Sequence, residues 1–125
     1  MEKWIKPSQE LLDKIEDLAG PFNCDRRIMF GYPVFFIRGN MFTGVFANDV
    51  FIRLPQNETE LIKEFSDKII CLEPVKGRVM KEYIVIPEEF LNDAKFIKKW
   101  FKISNLYVQS LPEKKRTAKK KKKVE

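Results

Sequence analysis

The first apolar residues of the chain recur at the spacing of one helix face. They run from Leu11 to Ala19, and acidic residues occupy the opposite face. Ser8 precedes this stretch as a residue type that caps helix starts, and Gly20 followed by Pro21 is typical of a helix end. The pattern therefore predicts an amphipathic helix at the start of the chain.

Between Arg27 and Leu54 the apolar pattern changes to that of β-strands. This part is rich in phenylalanine, valine and isoleucine, and short turn signals interrupt it at regular places. We predict strands near residues 27–30, 34–38, 41–47 and 50–54, with hairpin turns at Gly39-Asn40 and Asn48-Asp49. Simple alternation places Phe42 and Phe46 on the same face of the third strand, under the helices.

The second half of the chain returns to helices after two further strands. Asn57 and Glu60 resemble a capping box, which predicts a helix over about residues 57–68. Extended segments follow at 69–75 and 79–86, a short helical turn begins after Pro87, and Asp93 caps a final helix that reaches about Leu111. In the last strand Tyr83 and Val85 face one way, and Ile84 and Ile86 the other.

This order of elements predicts an α+β fold. We expect two layers, an antiparallel sheet of about five to six strands with the helices packed on one face. The 125 residues suffice for one domain, and a composition of 44% hydrophobic and 34% charged residues is that of a globular protein.

The residue types present exclude several kinds of chemistry. Without histidine the chain has no Ser-His-Asp or Cys-His triad and no histidine-ligated metal, and two cysteines, Cys24 and Cys71, are too few for a disulfide framework. This composition does not exclude lysine, tyrosine or carboxylate chemistry, but the sequence shows no catalytic apparatus, and we expect no enzyme, no cofactor and no metal site. No signal peptide or membrane-spanning run is present, so we expect a cytoplasmic protein that does not enter a membrane.

All of the excess positive charge lies at the end of the chain. Of 24 basic and 18 acidic residues, residues 112–125 hold eight and two, which leaves sixteen of each in residues 1–111. We predict a domain over 1–111 and a disordered lysine-rich tail over 112–125, called the basic tail below. Its functional interpretation is non-specific attachment to nucleic acid, and the alternative is a solvated end that aids solubility. The candidate residues are Lys114, Lys115, Arg116, Lys119, Lys120, Lys121, Lys122 and Lys123.

A second candidate site is a set of arginines and tyrosines at strand ends and turns. Arginine and tyrosine side chains together can hold a carboxylate or phosphate. The same arginines can equally form surface ion pairs with Asp25, Asp49 and Glu82. The candidate ligand cluster consists of Arg26, Arg27, Tyr32, Arg53, Arg78 and Tyr83.

Ordered motifs across most of the domain resemble the N-terminal domain of the TfoX/Sxy family, named for a regulator of bacterial natural competence. They are Met29-Phe30-Gly31-Tyr32-Pro33, Gly39-Asn40-Met41-Phe42-Thr43-Gly44, Arg53-Leu54-Pro55, Glu73-Pro74, Gly77-Arg78-Val79-Met80, Glu82-Tyr83, Pro87 and Leu111-Pro112. The resemblance implies a two-layer α+β fold similar to secretion-chaperone-like domains, in a bacterial cytosolic protein without a known reaction. The competence regulator carries a second, helical C-terminal domain, and this sequence has no match to it after Leu111-Pro112, so we expect a stand-alone member of the family. It implies no catalytic residues.

Two functional hypotheses follow from the sequence. The first is a non-enzymatic regulatory or interaction domain that associates with nucleic acid or the transcription machinery through its basic tail. The alternative is a small-ligand or peptide-binding domain that uses the candidate ligand cluster. The partner protein is unknown, and the sequence leaves a homodimer open.

Overall fold

The computed structural model describes residues 5–114, and these form ten helices and strands. The elements in chain order are α1 (Gln9–Ala19), β1 (Asp25–Met29), β2 (Tyr32–Ile37), β3 (Asn40–Phe46), β4 (Asp49–Arg53), α2 (Gln56–Lys63), β5 (Ile70–Val75), β6 (Arg78–Ile86), α3 (Glu88–Leu91) and α4 (Ala94–Ser110). The predicted α+β class is confirmed.

The six strands form one open antiparallel sheet in the order β1-β2-β3-β4-β6-β5. The first four strands follow one another through short hairpin turns. After β4 the chain passes through α2, and β6 then takes the place beside β4, which leaves β5 at the far edge. The two edge strands are therefore β1 and β5.

The ends of the two long helices carry the predicted caps. The Leu11 backbone N–H donates to the Ser8 hydroxyl, and the Phe96 N–H donates to an Asp93 carboxylate oxygen. Each bond satisfies a donor that the first turn of a helix leaves without a partner. The capping box predicted at Asn57 is wrong, because α2 begins at Gln56 after Pro55, whose fixed backbone favours a helix start without a side-chain cap.

The hairpin turns lie one residue earlier than predicted. Arg38 and Gly39 have φ of 51° and 84°, the backbone signature of a type I′ turn, and Asn40 is already the first residue of β3. Ala47, with φ of 59°, and Asn48 likewise join β3 to β4. An asparagine or aspartate beside a turn signals a hairpin but does not fix which two residues form it.

All four helices pack on one face of the sheet, where they build the helix-side core. Its fully buried members include Ile15 of α1, Ile62 of α2 and Phe101 of α4, packed over Phe42 and Ile84 of the strands. The Phe42 ring meets the Phe101 ring edge-on at a centroid distance of 5.7 Å. The prediction of helices on a single face is confirmed.

A bulge in β3 separates Phe42 from Phe46. Phe36 pairs with Met41 and Phe35 with Thr43, so Phe42 is an extra residue that β2 does not match. Each side chain beyond it changes face. Phe42 is fully buried in the helix-side core, whereas Phe46 is only partly buried and also contacts the opposite face. The prediction that the two rings share a face is wrong for this reason.

No helix among residues 5–114 is both long enough and apolar enough to cross a bilayer. Cys24 and Cys71 are both unpaired and partly buried.

Candidate functional site

The face of the sheet opposite the helices is apolar as well. Within residues 5–114 its cluster contains strand residues and no helix residue. We call this surface the open face. Its members are Val34, Phe36, Met41, Phe46, Phe51, Leu72, Met80, Tyr83 and Val85. Val34, Phe51 and Leu72 are buried there and the other six are partly buried. The solvent side of an antiparallel sheet is usually polar, so a second apolar cluster on this side is a feature that needs a reason.

A small apolar cavity of about 70 Å³ lies on the open face. Met29 of edge strand β1 lines it on one side, Leu72 and Pro74 of edge strand β5 on another, and Phe51 and Met80 come from the strands between. The sheet thus brings residues from both of its edges to one depression.

Gly44 allows the floor of the open face to pack tightly. A Cβ atom at this position would lie 2.6 Å from Val34 Cγ1 and 3.0 Å from Phe51 Cζ. Both distances are closer than the approach of nonbonded carbon atoms, so only glycine lets the Phe51 ring lie against β3 at this point.

Basic side chains border the open face. Arg27 pairs with Val34 across β1 and β2, and its guanidinium carbon lies 4.4 Å from the centre of the Phe36 ring. Arg78 lies two residues before Met80 on β6, hence on the same side of the strand, and is exposed. Arg78 therefore adds positive charge to the rim of the apolar surface, while Asp25 pairs with Arg27 at 3.7 Å.

Two members of the candidate ligand cluster lie together where Arg53, at the end of β4, pairs with Tyr83 within β6. The Arg53 guanidinium is 5.4 Å from the centre of the Tyr83 ring, and its Nε donates to Glu82 Oε1 at 2.9 Å. The Tyr107 hydroxyl of α4 donates to Glu82 Oε2 at 2.8 Å. Burial raises the pKa of both Tyr83 and Tyr107, and the hydrogen bond to Glu82 adds to the rise for Tyr107. The group ties α4 to the sheet, with the Arg53 charge balanced by Glu82.

The other four members lie elsewhere. Arg26 and Arg27 are on β1, which β2 and β3 separate from β4, and they pair with Glu16 and Asp25 respectively. The Tyr32 hydroxyl donates to the Ile5 carbonyl at 2.6 Å. Arg78 begins β6 after the turn at Gly77. The structure joins Arg53 with Tyr83 and distributes the remaining members over β1, β2 and the β5–β6 hairpin.

The start of the basic tail contacts the β2–β3 turn. The Asn40 side-chain amide donates to the Pro112 carbonyl at 2.9 Å, and the Lys114 N–H donates to the Arg38 carbonyl at 2.9 Å. Lys114 is the one candidate tail residue within the described range. Lys115, Arg116, Lys119, Lys120, Lys121, Lys122 and Lys123 lie outside the described residues, and the boundary at residue 112 stays a prediction.

A wider polar groove of about 670 Å³ lies between α1, the β3–β4 turn and α3. Lys14, Asp49 and Glu88 line it, and none of the three forms an ion pair with another described residue. Burial raises the pKa of Asp49. In the described part of the chain no three histidine, cysteine or acidic side chains are placed to hold a metal ion.

The sequence interpretation did not find the open face, because it assigned the strand phenylalanines to burial under helices. A signal was present. Residues 34–37 are an unbroken apolar run, so both faces of β2 are apolar, whereas helices packed on one side of the sheet cover only one of these faces. Tyr107 was also missed, because nothing in its helical spacing marks it as a partner of Glu82.

No curated protein and no solved structure matches the chain. A family model does match, that of the TfoX N-terminal domain, over residues 4–105. The matched range spans all six strands and the first three helices, so it covers the sheet, the open face and most of the helix-side core. The resemblance in the sequence motifs is confirmed, and the chain belongs to the TfoX N-terminal domain family.

Proposed function

We propose that the protein is a non-enzymatic regulatory domain that acts by binding another protein at the open face. The observation that carries this proposal is an apolar sheet surface without helix cover in the described chain. Val34 and Phe51 are almost fully buried there, while Met29 beside them is 38% exposed. A partner that covers Met29 and the neighbouring side chains would remove apolar area from water, which is the main source of binding energy at protein interfaces.

Family membership supports a domain of regulatory type. In the Arg53 group, the side chains that could serve as acid, base or anion clamp are engaged with one another. Glu82 neutralises Arg53, and burial raises the pKa of Tyr83, which disfavours its ionised form. These properties suit a scaffold that binds rather than one that transfers protons.

The basic tail adds a second element to the proposal, electrostatic attachment to nucleic acid. The rest of the chain has equal numbers of basic and acidic residues, so affinity for DNA or RNA would come from the lysines. Such binding is weak, independent of base sequence and strongly dependent on salt, because each neutralised phosphate releases counterions. It would hold the regulator near DNA while the open face engages a protein.

The tail is tested by fluorescence anisotropy with a labelled duplex across a salt series. If about five basic residues contact phosphates, the plot of log K against log salt has a slope of about −4.5. Replacing Lys119, Lys120, Lys121, Lys122 and Lys123 by glutamine should flatten the slope and leave unfolding unchanged. Absence of binding by the intact chain at low salt would remove the nucleic-acid part of the proposal.

The open face is tested by complementation in the native host. In a strain that lacks the gene, the wild-type chain should restore the transcript profile, and Met29→Glu should fail to do so at equal protein level and melting temperature. Leu106→Glu is the matched control, because Leu106 is 58% exposed on α4 and lies on the helix side. Full restoration by Met29→Glu would refute the open face as the working surface.

A further inference from the structure

We propose that the open face takes an extended segment of the partner protein, added as a strand beside β1, with alternating apolar side chains and acidic residues at its ends. This inference rests on the proposed function and names the chemistry of its partner. It follows from the condition of the two sheet edges, the position of the apolar cavity and the charge around it.

The two edges differ in their ability to accept a strand. β1 pairs with β2 in unbroken register over all five residues, from Asp25 with Phe36 to Met29 with Tyr32, and contains no proline. Among the described residues its backbone hydrogen bonds go only to β2. Its outer N–H and C=O groups therefore form a regular row that another strand can pair with.

β5 is unsuited to the same role. Pro74 lies within it and lacks an N–H, and its register with β6 shifts twice, between Cys71 and Leu72 and between Leu72 and Val75. Proline and irregular pairing are the usual means by which an edge strand avoids further pairing. A strand that joins this sheet is thus directed to β1.

The cavity lies where side chains of such a strand could be received. Met29 of edge strand β1 lines the cavity together with Leu72 and Pro74 of β5, so side chains of a strand paired with β1 can reach it past Met29. Alternate side chains of a strand point to one face. Every second residue of the segment would then face the apolar surface, and this requires apolar residues at alternate positions.

The charge of the rim selects acidic ends. Arg27 on β1 and Arg78 on β6 border the open face, and Lys76 lies in the exposed turn before Arg78. Asp25 lies 3.7 Å from Arg27 and balances its charge, and Glu73 accepts a hydrogen bond from the Gly77 N–H. Against the three basic residues these two carboxylates leave one positive charge in excess, on the side of Lys76 and Arg78, which favours carboxylates on the incoming segment and speeds its association.

The same charge disfavours a second copy of this chain as the occupant. In antiparallel self-pairing of β1, Arg26 and Arg27 of one copy come close to Arg26 and Arg27 of the other. Like charges directly opposite each other on paired strands are destabilising. The partner segment is therefore argued to come from a different protein, and self-association becomes an outcome of the test.

The test uses two labelled synthetic peptides of alternating valine and threonine, one with aspartate and glutamate at both ends and one with lysine at both ends. Fluorescence anisotropy measures affinity for the full chain, and amide hydrogen exchange with mass spectrometry locates protection. We expect saturable binding of the acidic peptide, about fivefold or more tighter than the lysine peptide at low salt, with the difference shrinking as salt is added. Protection should appear in residues 25–29 and not in 70–75.

Two variants make the assignment specific. Met29→Glu should lower the affinity for the acidic peptide by about tenfold or more, because it removes an apolar side chain that lines the cavity and adds a negative charge that repels the peptide's carboxylates. Arg27→Glu should reverse the preference between the two peptides. Leu106→Glu, on the helix side, should change neither affinity.

Four results would overturn the inference. Three come from the peptides: no binding of the acidic peptide, equal binding of both peptides, and protection that is absent from β1. The fourth is a dimer in sedimentation with β1 protected before any peptide is added, which would mean that a second copy of the chain occupies this edge. If Met29→Glu does not restore the transcript profile in the host and no peptide protects β1, the open face remains the binding surface but strand addition beside β1 is wrong. If Met29→Glu restores the transcript profile and the acidic peptide binds β1, the proposed function is wrong instead.

Discussion

The assignment of Phe42 and Phe46 to different environments predicts two alanine substitutions of unequal cost. The Phe42 side chain is fully buried, and its ring meets both Phe22 and Phe101 edge-on at centroid distances of 5.5 and 5.7 Å. Phe42→Ala leaves a cavity under α4, so it should lower the free energy of unfolding by about 3–5 kcal/mol. Phe46 is only partly buried and has one ring neighbour, Tyr32 at 5.5 Å. Phe46→Ala should cost about 1.5–2.5 kcal/mol, roughly half of a buried side chain plus one aromatic pair.

Urea unfolding followed by circular dichroism measures both costs, and thermal melts check them. For a domain of this size about 4 °C of melting temperature corresponds to 1 kcal/mol, so the two variants should melt about 12–20 °C and 6–10 °C below the wild type. Phe42→Leu and Phe46→Leu provide smaller perturbations if Phe42→Ala does not fold. Equal losses at the two positions would place both rings in the helix-side core and refute the bulge assignment.

Three further predictions concern other contacts. Gly39→Ala should detach residues 112–114 from the β2–β3 turn, because Gly39 has a φ of 84° and a Cβ atom there would collide with the Lys114 carbonyl. The Lys114 amide, which donates to the Arg38 carbonyl, should then exchange its hydrogen with solvent faster, and an unchanged exchange rate would contradict the contact. Glu82→Gln should lower the free energy of unfolding by about 1–2 kcal/mol, because it weakens two hydrogen bonds, one of them from a charged donor. Glu89→Gln, in the exposed pair with Lys68, is the control and should lower it by at most about 0.5 kcal/mol; equal losses would mean that the Arg53 group adds no stability. Burial raises the folded-state pKa of Asp49, so the stability contributed by its protonated form is present below the unfolded-state pKa and is lost as pH rises through the folded-state pKa. Asp49→Asn should therefore raise the melting temperature at neutral pH but not in acid, and a variant that is less stable than the wild type at neutral pH would contradict this.

The elements of the fold were predictable from local signals, while the pairing details were not. Ile84 and Ile86 lie in the helix-side core and Tyr83 and Val85 on the open face, as alternation requires, because β6 is regular where it pairs with β4. Alternation failed in β3, since a bulge depends on how two strands meet. Gly44, an isolated glycine within a strand pattern, was the one local signal of an irregularity there.

The candidate site shows the same division. Arg53 and Tyr83 lie together because β4 and β6 are neighbours, yet the two strands are separated in sequence by α2 and β5, and no local pattern predicts their pairing. Arg26 and Arg27 were grouped with them on residue type alone. The apolar run over residues 34–37 signals that both faces of β2 are apolar, but which strands share the open face depends on the sheet order and on the side that the helices cover, and no local pattern gives these.

The central claim, that the open face binds a partner protein, is tested most directly by photo-crosslinking in the native host. A photoreactive phenylalanine analogue is placed at Met29 on the open face, or at Leu106 on α4 as the matched control, and the products are identified by mass spectrometry. We predict a discrete adduct with one partner protein at Met29, through an extended segment of that partner, and none at Leu106. No adduct at Met29, or the same adducts at both positions, would contradict the account.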